Sequence, residues 1–326
     1  MSDLIQEAVK VLRRGGTVAF PTETVYGLGA DATSPAAVQR VFAVKGRPST
    51  NPVIVHVADA AVAKRYAATW PARATQLVEK FWPGPLTLVL PKTDAIVPSV
   101  TAGRNTVGLR APDHPLTLEL LRTFDGAIIG PSANRSSHVS PTTAQHVRDE
   151  LGDAVEVILD GGPCRVGIES TVLDLSSASP AILRPGAISR EQIEAVVGPV
   201  GLRNIITELT TPATSPGQHS RHYAPITPTY AFPGAEIDSV ARWCDDHRDK
   251  QAILICINHH ARLQHENLKP LMMPNRPDDY ARQMYAALRH ADRQSPAAIW
   301  IEMPPDTPEW LAVRDRLSRA SRPAPR

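Results

Sequence analysis

The chain has few of the residues that mark disulfide-bonded or metal-holding proteins. Only three cysteines occur in 326 residues, and Cys164, Cys244 and Cys256 stand far apart. This spacing excludes a disulfide framework and a zinc site built from cysteine pairs, and it is typical of ordinary thiols in a reducing compartment. No His-rich or Asp-rich spacing indicates a metal site either, so we predict no metal held by protein side chains alone.

The sequence also lacks a long apolar run. No stretch approaches the ~20 apolar residues of a membrane-spanning helix, and charges are spread through the first 14 residues, unlike a signal peptide. The 35 basic and 33 acidic residues nearly balance, which argues against a surface dedicated to nucleic acid or membrane. We expect a cytoplasmic protein with no membrane contact, whose partners are small molecules.

A phosphate-binding loop of the P-loop type is missing as well. The chain contains no Gly-x-x-x-x-Gly-Lys-Ser/Thr segment, so an ATP site here would be of another kind.

Helical and strand patterns alternate along most of the chain. Their mixed order favours an α/β fold with a twisted sheet and some antiparallel pairing over a pure Rossmann repeat. Residues 1–200 form the first domain of this prediction, residues 201–227 a Gly-, Pro- and Ser-rich interdomain linker, and residues 228–326 a smaller Rossmann-like α/β domain. Strands are predicted at 17–20, 53–57, 86–90, 106–110, 127–130, 155–159, 170–175, 181–183, 229–232, 252–257 and 297–302. A helix is predicted at 190–197 and a frayed tail at 322–326.

Polar side chains follow the first predicted strand within residues 20–29, FPTETVYGLG. In open α/β sheets, ligands bind beyond strand ends, where such loop residues lie. Gly27 and Gly29 are predicted to supply a turn that can approach a ligand closely. By itself the motif fits either a binding site or a polar turn after a buried strand.

Further polar loops follow other predicted elements. Lys45 and Arg47 occur in a short loop that suits a phosphate, although a solvated basic turn would have the same residues. Ser140 follows the polar run 131–137 and is predicted to cap a helix starting near Pro141, which would leave an anion site. Arg110 ends a strand and suits a substrate carboxylate.

The ordered motifs resemble the YrdC-like threonylcarbamoyl-adenylate synthases over about the first 200 residues. The motifs are FPTETVYGLG (20–29), KGRPSTNP (45–52), WPGP (82–85), SAN (132–134), SPT (140–142), EST (169–171) and LRPG (183–186). Residues 215–225, SPGQHSRHYAP, resemble the linker of the long, two-domain form, which folds back over the catalytic cleft. The glycines expected in that form before the last helix are replaced here by residues 308–310, PEW.

This resemblance implies an L-threonylcarbamoyladenylate synthase, a nucleotidyltransferase. Its substrates are L-threonine, bicarbonate and ATP, with Mg²⁺ accompanying the ATP, and its products are threonylcarbamoyl-AMP and pyrophosphate. The adenylate serves formation of N6-threonylcarbamoyladenosine at position 37 of tRNA. The expected partners are the downstream proteins that transfer the threonylcarbamoyl group to tRNA, with at most a weak contact to tRNA itself.

Site residues are also implied by the resemblance, carried over position by position. The catalytic set around the phosphates and the carbamate is Lys45, Arg47, Ser132 and Asn134. The set for L-threonine is Thr24, His56, Arg110, Gly130 and Ser170. The set for ATP is Arg47, Asn51, Thr106, Ser132, Ser140, Arg184 and Tyr223, with Tyr223 in the linker covering the nucleotide.

Two other functions compete with this interpretation. Hydrogenase-maturation carbamoyltransferases contain a related domain, but they are much longer and carry zinc-binding cysteine pairs. An RNA-binding module would suit the basic loops, but the near-neutral composition counts against it.

Overall fold

The computed structural model describes residues 2–48, 50–203, 222–260, 263 and 265–324. Contacts between residues divide the chain into two units, Met1–Ser136 with Ser140–Ser220, and Ser137–Val139 with Arg221–Arg326. Most of the predicted linker 201–227, including the motif 215–225 up to residue 221, lies outside the described residues.

In the described residues of the first unit, ten strands form a mixed sheet in the order β10-β9-β8-β4-β5-β3-β6-β2-β1-β7. Parallel and antiparallel neighbours alternate irregularly: β3 is parallel to β5, for example, and β4 is antiparallel to β5. The predicted α/β fold with a twisted mixed sheet is therefore confirmed. The strands are β1 (Val18–Phe20), β2 (Gly27–Asp31), β3 (Ile54–His56), β4 (Leu86–Pro91), β5 (Thr106–Arg110), β6 (Ile128–Ile129), β7 (Val157–Ile158), β8 (Thr171–Asp174), β9 (Ala181–Arg184) and β10 (Gly201–Leu202).

Seven α-helices accompany this sheet among the described residues: α1 (Ser2–Arg13), α2 (Pro35–Lys45), α3 (Ala60–Ala63), α4 (Ala72–Phe81), α5 (Pro115–Phe124), α6 (Ala144–Leu151) and α7 (Arg190–Val197). Helix α2 shows how local sequence positions a site residue. Ser34 caps its first turn, and Gly46 ends it in the left-handed conformation at φ 60°, which glycine adopts readily. Lys45 is consequently the last helical residue.

The two faces of the central strands have different environments, because side chains alternate along a strand. Leu88, Leu109 and Leu173 point into the main hydrophobic core of the unit, and each such burial contributes about 1.5–3 kcal/mol. Val89 and Val172 point to the opposite face, where they form a separate small cluster. One face therefore anchors the sheet and the other is available for a site.

The expectation that Gly27 and Gly29 form a turn is wrong. Both residues lie in β2, which pairs with β1 in antiparallel register. A Cβ atom at Gly27 would lie 2.7 Å from Cζ of Phe20, and one at Gly29 would lie 2.9 Å from Cε1 of the same ring. These glycines make room for an aromatic ring in the core rather than for a ligand.

The sheet of the second unit has five parallel strands where the structure describes the chain, in the order β13-β12-β14-β11-β15. They are β11 (Thr229–Pro233), β12 (Ala252–Cys256), β13 (Leu268–Met272), β14 (Ala298–Met303) and β15 (Arg322–Pro323), with helices α8 (Asp238–Asp246), α9 (Pro277–Arg293) and α10 (Leu311–Ala320). Trp300 and Phe232 are fully buried in its core. Among the described residues of either unit, no helix is both long and apolar enough to cross a membrane.

Candidate active site

Strand register brings several predicted site residues to one face of the sheet. His56 on β3 pairs with Arg110 on β5. Leu109 pairs with Leu88 in antiparallel register, so the next residues, Arg110 and Thr87, also lie opposite each other. Thr87 on β4 pairs with Val172 on β8, and Val172 pairs with Arg184 on β9. The five positions therefore form a row across five adjacent strands, on the face opposite the main core.

A β-bulge directs Arg184 to this face. The register between β8 and β9 shifts by one residue, because Val172 pairs with Arg184 whereas Leu173 pairs with Ile182. Ile182 points into the main core, and in a regular strand Arg184, two residues later, would point there too. In the bulged strand Arg184 instead contacts Ser170, with Nη2 donating to the carbonyl at 3.0 Å and to Oγ at 3.2 Å.

Arg110 is the predicted ligand of the threonine carboxylate, and it is 3% exposed. Its Nε donates to the carbonyl of Gly84 at 3.2 Å, and its Nη2 donates to Oγ1 of Thr24 at 3.0 Å. An ion pair of 2.8 Å joins the same nitrogen to Glu23. Because charge-assisted contacts strengthen away from water, this buried guanidinium is well suited to a carboxylate.

His56 lies beside Arg110 and is buried, with its ring in a T-shaped arrangement 5.4 Å from the Phe20 ring. Burial, together with the positive charge of Arg110, holds the pKa of His56 well below its usual range. Its Nδ1 atom has no hydrogen-bond partner among the described residues. Gly130 is adjacent, since a Cβ atom there would lie 2.5 Å from that nitrogen. A neutral imidazole therefore offers an unused hydrogen-bonding atom.

Ser170 and Ser140 occupy the next part of the site, and both are fully buried. Ser170 shares a hydrogen bond of 2.8 Å with Thr87, and Ser140 donates from Oγ to Glu169 at 2.7 Å. The expectation that Ser140 caps the following helix is wrong. The N-cap of α6 is Thr143, whose side chain accepts from the amide of His146.

Lys45 links helix α2 to the polar loop after β6. Its Nζ donates to the main-chain carbonyls of Ser132 and Asn134, and the side chain is buried. The pKa of Lys45 is well below its usual range, chiefly through burial and then through the nearby charge of Arg47. Asn134 is also buried, and its side-chain amide donates to the carbonyl of Arg135 at 2.7 Å.

Arg47 shapes the loop that follows α2. Its Nε donates to the carbonyl of Asn51 at 3.2 Å, and its Nη2 donates to the carbonyl of Pro52 at 2.8 Å. The side-chain oxygen of Asn51 is buried without a hydrogen-bond partner among the described residues, which marks it as available to a ligand.

A groove of about 340 Å³, counting its open mouth, lies on the same sheet face. Gly108 forms part of its floor between Thr106 and Arg110, which share its face of β5. The groove is lined by Pro52, Val53, Ile54, Thr87, Val89, Val100, Thr101, Arg104, Thr106, Val107, Gly108 and Val172. Thr106 is the predicted ATP residue in this set, and Pro52 follows Asn51 directly.

Tyr223 belongs to the second unit. Its ring is buried, with the Tyr285 ring 5.7 Å away and the guanidinium of Arg316 5.5 Å from its centroid. Its backbone has a φ of 63°, in the left-handed region that non-glycine residues rarely adopt. The assignment of Tyr223 to ATP stays a prediction.

Tyr26, a motif residue with no predicted role, connects its own segment to residues 161–162 by hydrogen bonds. Its hydroxyl donates to the carbonyl of Gly162 at 2.8 Å and accepts from the amide of Gly161 at 3.1 Å. Burial raises its pKa to about 12, so the hydroxyl stays protonated. The residue supports the loop rather than contacting the groove.

Replacing Tyr26 with Phe should lower the free energy of unfolding by about 1–3 kcal/mol, because it removes both hydrogen bonds and leaves the partly buried main-chain groups of Gly161 and Gly162 without this partner. Urea denaturation measures this. The matched change Tyr230→Phe removes a hydroxyl for which no hydrogen bond is found among the described residues and should cost less than about 0.5 kcal/mol. Equal losses in the two variants would contradict the assigned role.

Three contributors to the site went unrecognised in the sequence. Thr87 orients Ser170 through a hydrogen bond, and Glu169 orients Ser140 in the same way. Gly108 leaves space at the floor of the groove because it has no side chain. Alternation along β4 and β5 could have indicated Thr87 and Gly108, which interrupt apolar strands on the face opposite the core. No cluster of three or more His, Cys, Asp or Glu residues able to hold a metal is found in the described parts of the chain.

Comparison with known proteins covers both units. A family model described as "Telomere recombination" (Sua5, YciO and YrdC) matches residues 10–186, and one described as "Threonylcarbamoyl-AMP synthase, C-terminal domain" matches residues 188–322. The threonylcarbamoyl-AMP synthase of Bacillus subtilis is 40% identical over 97% of this chain and 92% of the relative. That of Pyrococcus abyssi is 38% identical over 97% of this chain and 94% of the relative.

A solved structure agrees over the same extent. The crystal structure of P. abyssi Sua5 complexed with L-threonine matches with a TM-score of 0.89 and 37% identity, covering 97% of this chain and 94% of that one. The matches span both units. The buried residues of the sheet face therefore lie within the region that matches this group of enzymes. The chain belongs to the threonylcarbamoyl-AMP synthase family, in its two-domain form.

Proposed function

We propose that this protein makes threonylcarbamoyl-AMP and pyrophosphate from L-threonine, bicarbonate and ATP. The observation that carries the proposal is the row across the sheet, where Arg110 and Arg184 flank the hydroxyl of Thr87 and a neutral His56 lies beyond Arg110, on the face that holds the groove. Buried cations beside an open groove suit two anionic substrates that must be held next to each other.

L-Threonine would bind at the end of the row that contains Arg110. The guanidinium binds the carboxylate, and the unused Nδ1 of His56 forms a hydrogen bond with the substrate hydroxyl. Since His56 is neutral, it does not add a second positive charge that would attract the phosphates away from their own site. Gly130 leaves the space beside the ring open.

ATP would occupy the groove, with its base near Gly108 and Thr106 and its phosphates toward Lys45 and Arg47. The amine of threonine first combines with bicarbonate to give a carbamate, and water leaves. A carbamate oxygen then attacks the α-phosphorus, the new P–O bond forms, and the bond to pyrophosphate breaks. The protein contributes alignment and neutralisation of charge on the phosphoryl oxygens.

We propose that Mg²⁺ accompanies ATP, held through phosphate oxygens and water. The cationic residues around the groove and the lack of a carboxylate cluster in the described residues fit a metal brought by its substrate. Turnover should therefore stop when a chelator exceeds the Mg²⁺ present and return when Mg²⁺ is added back. Full turnover in excess chelator would contradict this role.

The proposed reaction is tested by the dependence of pyrophosphate release on each substrate. Release should require ATP, L-threonine and bicarbonate together, and omission of any one should reduce it to background. Mass spectrometry should detect threonylcarbamoyl-AMP in the complete mixture only. Release from ATP that ignores threonine would refute the proposal.

Replacing Gly108 with Val should lower ATP affinity at least tenfold while threonine binding persists. A Cβ atom there would already lie 3.2 Å from Cγ2 of Thr87 and 3.7 Å from Ile54, so two further methyl groups would fill the groove. Calorimetry with a non-hydrolysable ATP analogue measures the change. Gly201→Val in β10, where a Cβ atom would have ordinary contacts at 3.6 Å, is the matched control and should bind normally.

The adenylate would serve the modification of adenosine 37 in tRNA, so its consumers are the proteins that transfer the threonylcarbamoyl group. We propose the cytoplasm as the compartment, because ATP and tRNA are both available there. A weak direct contact with tRNA is part of this proposal, and filter binding at several salt concentrations tests it.

A further inference from the structure

Glu23 is a buried carboxylate beside the proposed threonine site for which the motifs suggest no role. It is 1% exposed and lies between Thr22 and Thr24 in the loop that joins β1 to β2. Its main-chain carbonyl accepts from the amide of Val166 at 2.7 Å, and Oε2 accepts from the amide of Asp113 at 3.1 Å. Its backbone and one of its carboxylate oxygens are thus held by two other segments.

The second carboxylate oxygen contacts Arg110. Oε1 lies 2.8 Å from Nη2, and the two side chains are 1% and 4% exposed. An ion pair of this kind differs from a surface pair, because removal of one partner leaves a charge buried without compensation. Glu23 therefore constrains Arg110 more strongly than an exposed carboxylate would.

The remaining contacts of Arg110 define which nitrogen is left for a ligand. Nε donates to the carbonyl of Gly84, and Nη2 donates to Oγ1 of Thr24. The contact of Nη2 with Oε1 of Glu23 is an ion pair without hydrogen-bond geometry. Nη1 contacts no hydrogen-bond partner in the part of the chain that the structure describes. One side of the guanidinium is thus held, and its other side keeps two N–H bonds for use.

We propose that Glu23 is a positioning residue that holds the Arg110 guanidinium with Nη1 directed to the carboxylate of the amino-acid substrate. This inference rests on the proposed function. Glutamine could not replace it, because one of its two ends would be an NH₂ group facing either Nη2 of Arg110 or the amide of Asp113. A donor would then face a donor, and the guanidinium would shift.

Binding of L-threonine and of L-threoninol tests the proposal, because threoninol has CH₂OH in place of the carboxylate. Calorimetry on the full chain should show that Glu23→Gln weakens threonine at least tenfold and leaves threoninol within about twofold of the wild type. Glu156→Gln is the matched control, since it alters a carboxylate paired with Arg14 and Arg40 outside the proposed site. That control should leave the affinity for both ligands unchanged.

Each other outcome has a separate meaning. Unchanged or tighter threonine binding by Glu23→Gln, or an equal loss for both ligands, would overturn the positioning role while the proposed function stands. A wild type that binds no threonine would refute the proposed function as well. If Glu23→Gln does not fold, Glu23→Asp, which keeps the charge but shortens the side chain, should show a smaller loss that is again confined to threonine; a loss shared by threoninol, or none, would overturn the role.

Discussion

Replacing Arg110 with Ala should reduce kcat/KM for L-threonine by about 10²–10³-fold, because the buried charge pair with the substrate carboxylate is lost. The ATP affinity should change by less than about threefold, since the groove proposed for the nucleotide is lined by other side chains. Initial rates at varied threonine and saturating ATP, with calorimetry for the nucleotide, separate the two effects. A loss of ATP affinity with normal threonine kinetics would reverse the assigned substrate positions.

Two further variants keep this experiment interpretable. Removal of Arg110 leaves Glu23 buried without its partner, so thermal unfolding must show that the variant is folded at the assay temperature. Arg110→Lys retains a charge but loses the contact of Nε with Gly84, and it should give an intermediate loss. Arg190→Ala removes an exposed pair with Glu194 on α7 and should leave the kinetics unchanged.

Replacing Lys45 with Met should lower kcat by about 10²–10³-fold, comparable to removing one donor that stabilises a transition state. Methionine fills similar space, but it cannot donate to the carbonyls of Ser132 and Asn134 or neutralise a phosphate. Arg47 alone would then provide charge from this loop. Single-turnover kinetics at saturating substrates measures the effect, and Lys80→Met on the exposed side of α4 is the matched control.

Proton uptake gives the same variant a second readout. The free enzyme holds the pKa of Lys45 well below its usual range through burial and Arg47. The negative charge of bound ATP favours the protonated amine, so nucleotide binding should take up protons and weaken as pH rises above that lowered pKa. Calorimetry in buffers with different ionisation enthalpies should show this uptake for the wild type and a smaller one for Lys45→Met. Equal uptake by both proteins would remove Lys45 from the phosphate site.

Secondary structure was predictable where one periodicity dominates. Helix α7 was expected at residues 190–197 and spans Arg190–Val197. Strand β13 was missed because Lys269 and Pro270 interrupt its apolar pattern, and only pairing with β12 makes it a strand. The expected frayed end also proved wrong in part, since Arg322–Pro323 pairs with β11. Pairing between distant segments is not visible in local periodicity.

The family resemblance supplied candidate site residues but not their geometry. It indicated Arg110, His56 and Lys45, whereas only the fold shows that His56 is neutral and that Lys45 holds the loop after β6. Ser140 shows the opposite case, because its capping role was inferred from a neighbouring proline although its true partner, Glu169, lies far along the chain. Burial and long-range partners determined both outcomes.

The bulge in β9 allows an arginine two residues after a core isoleucine to face the groove. In a regular strand Arg184 would share the face of Ile182 and would have to be buried among apolar side chains. Deleting Leu183 would remove the bulge and place Arg184 directly after Ile182, so regular pairing would keep Arg184 opposite Val172 on the groove face. The loss would instead fall on the small apolar cluster that Leu183 shares with Ile54, Val89 and Val172. The direction of Arg184 therefore depends on its spacing from Ile182, which would have to be an odd number of residues in a regular strand and is even only because of the bulge.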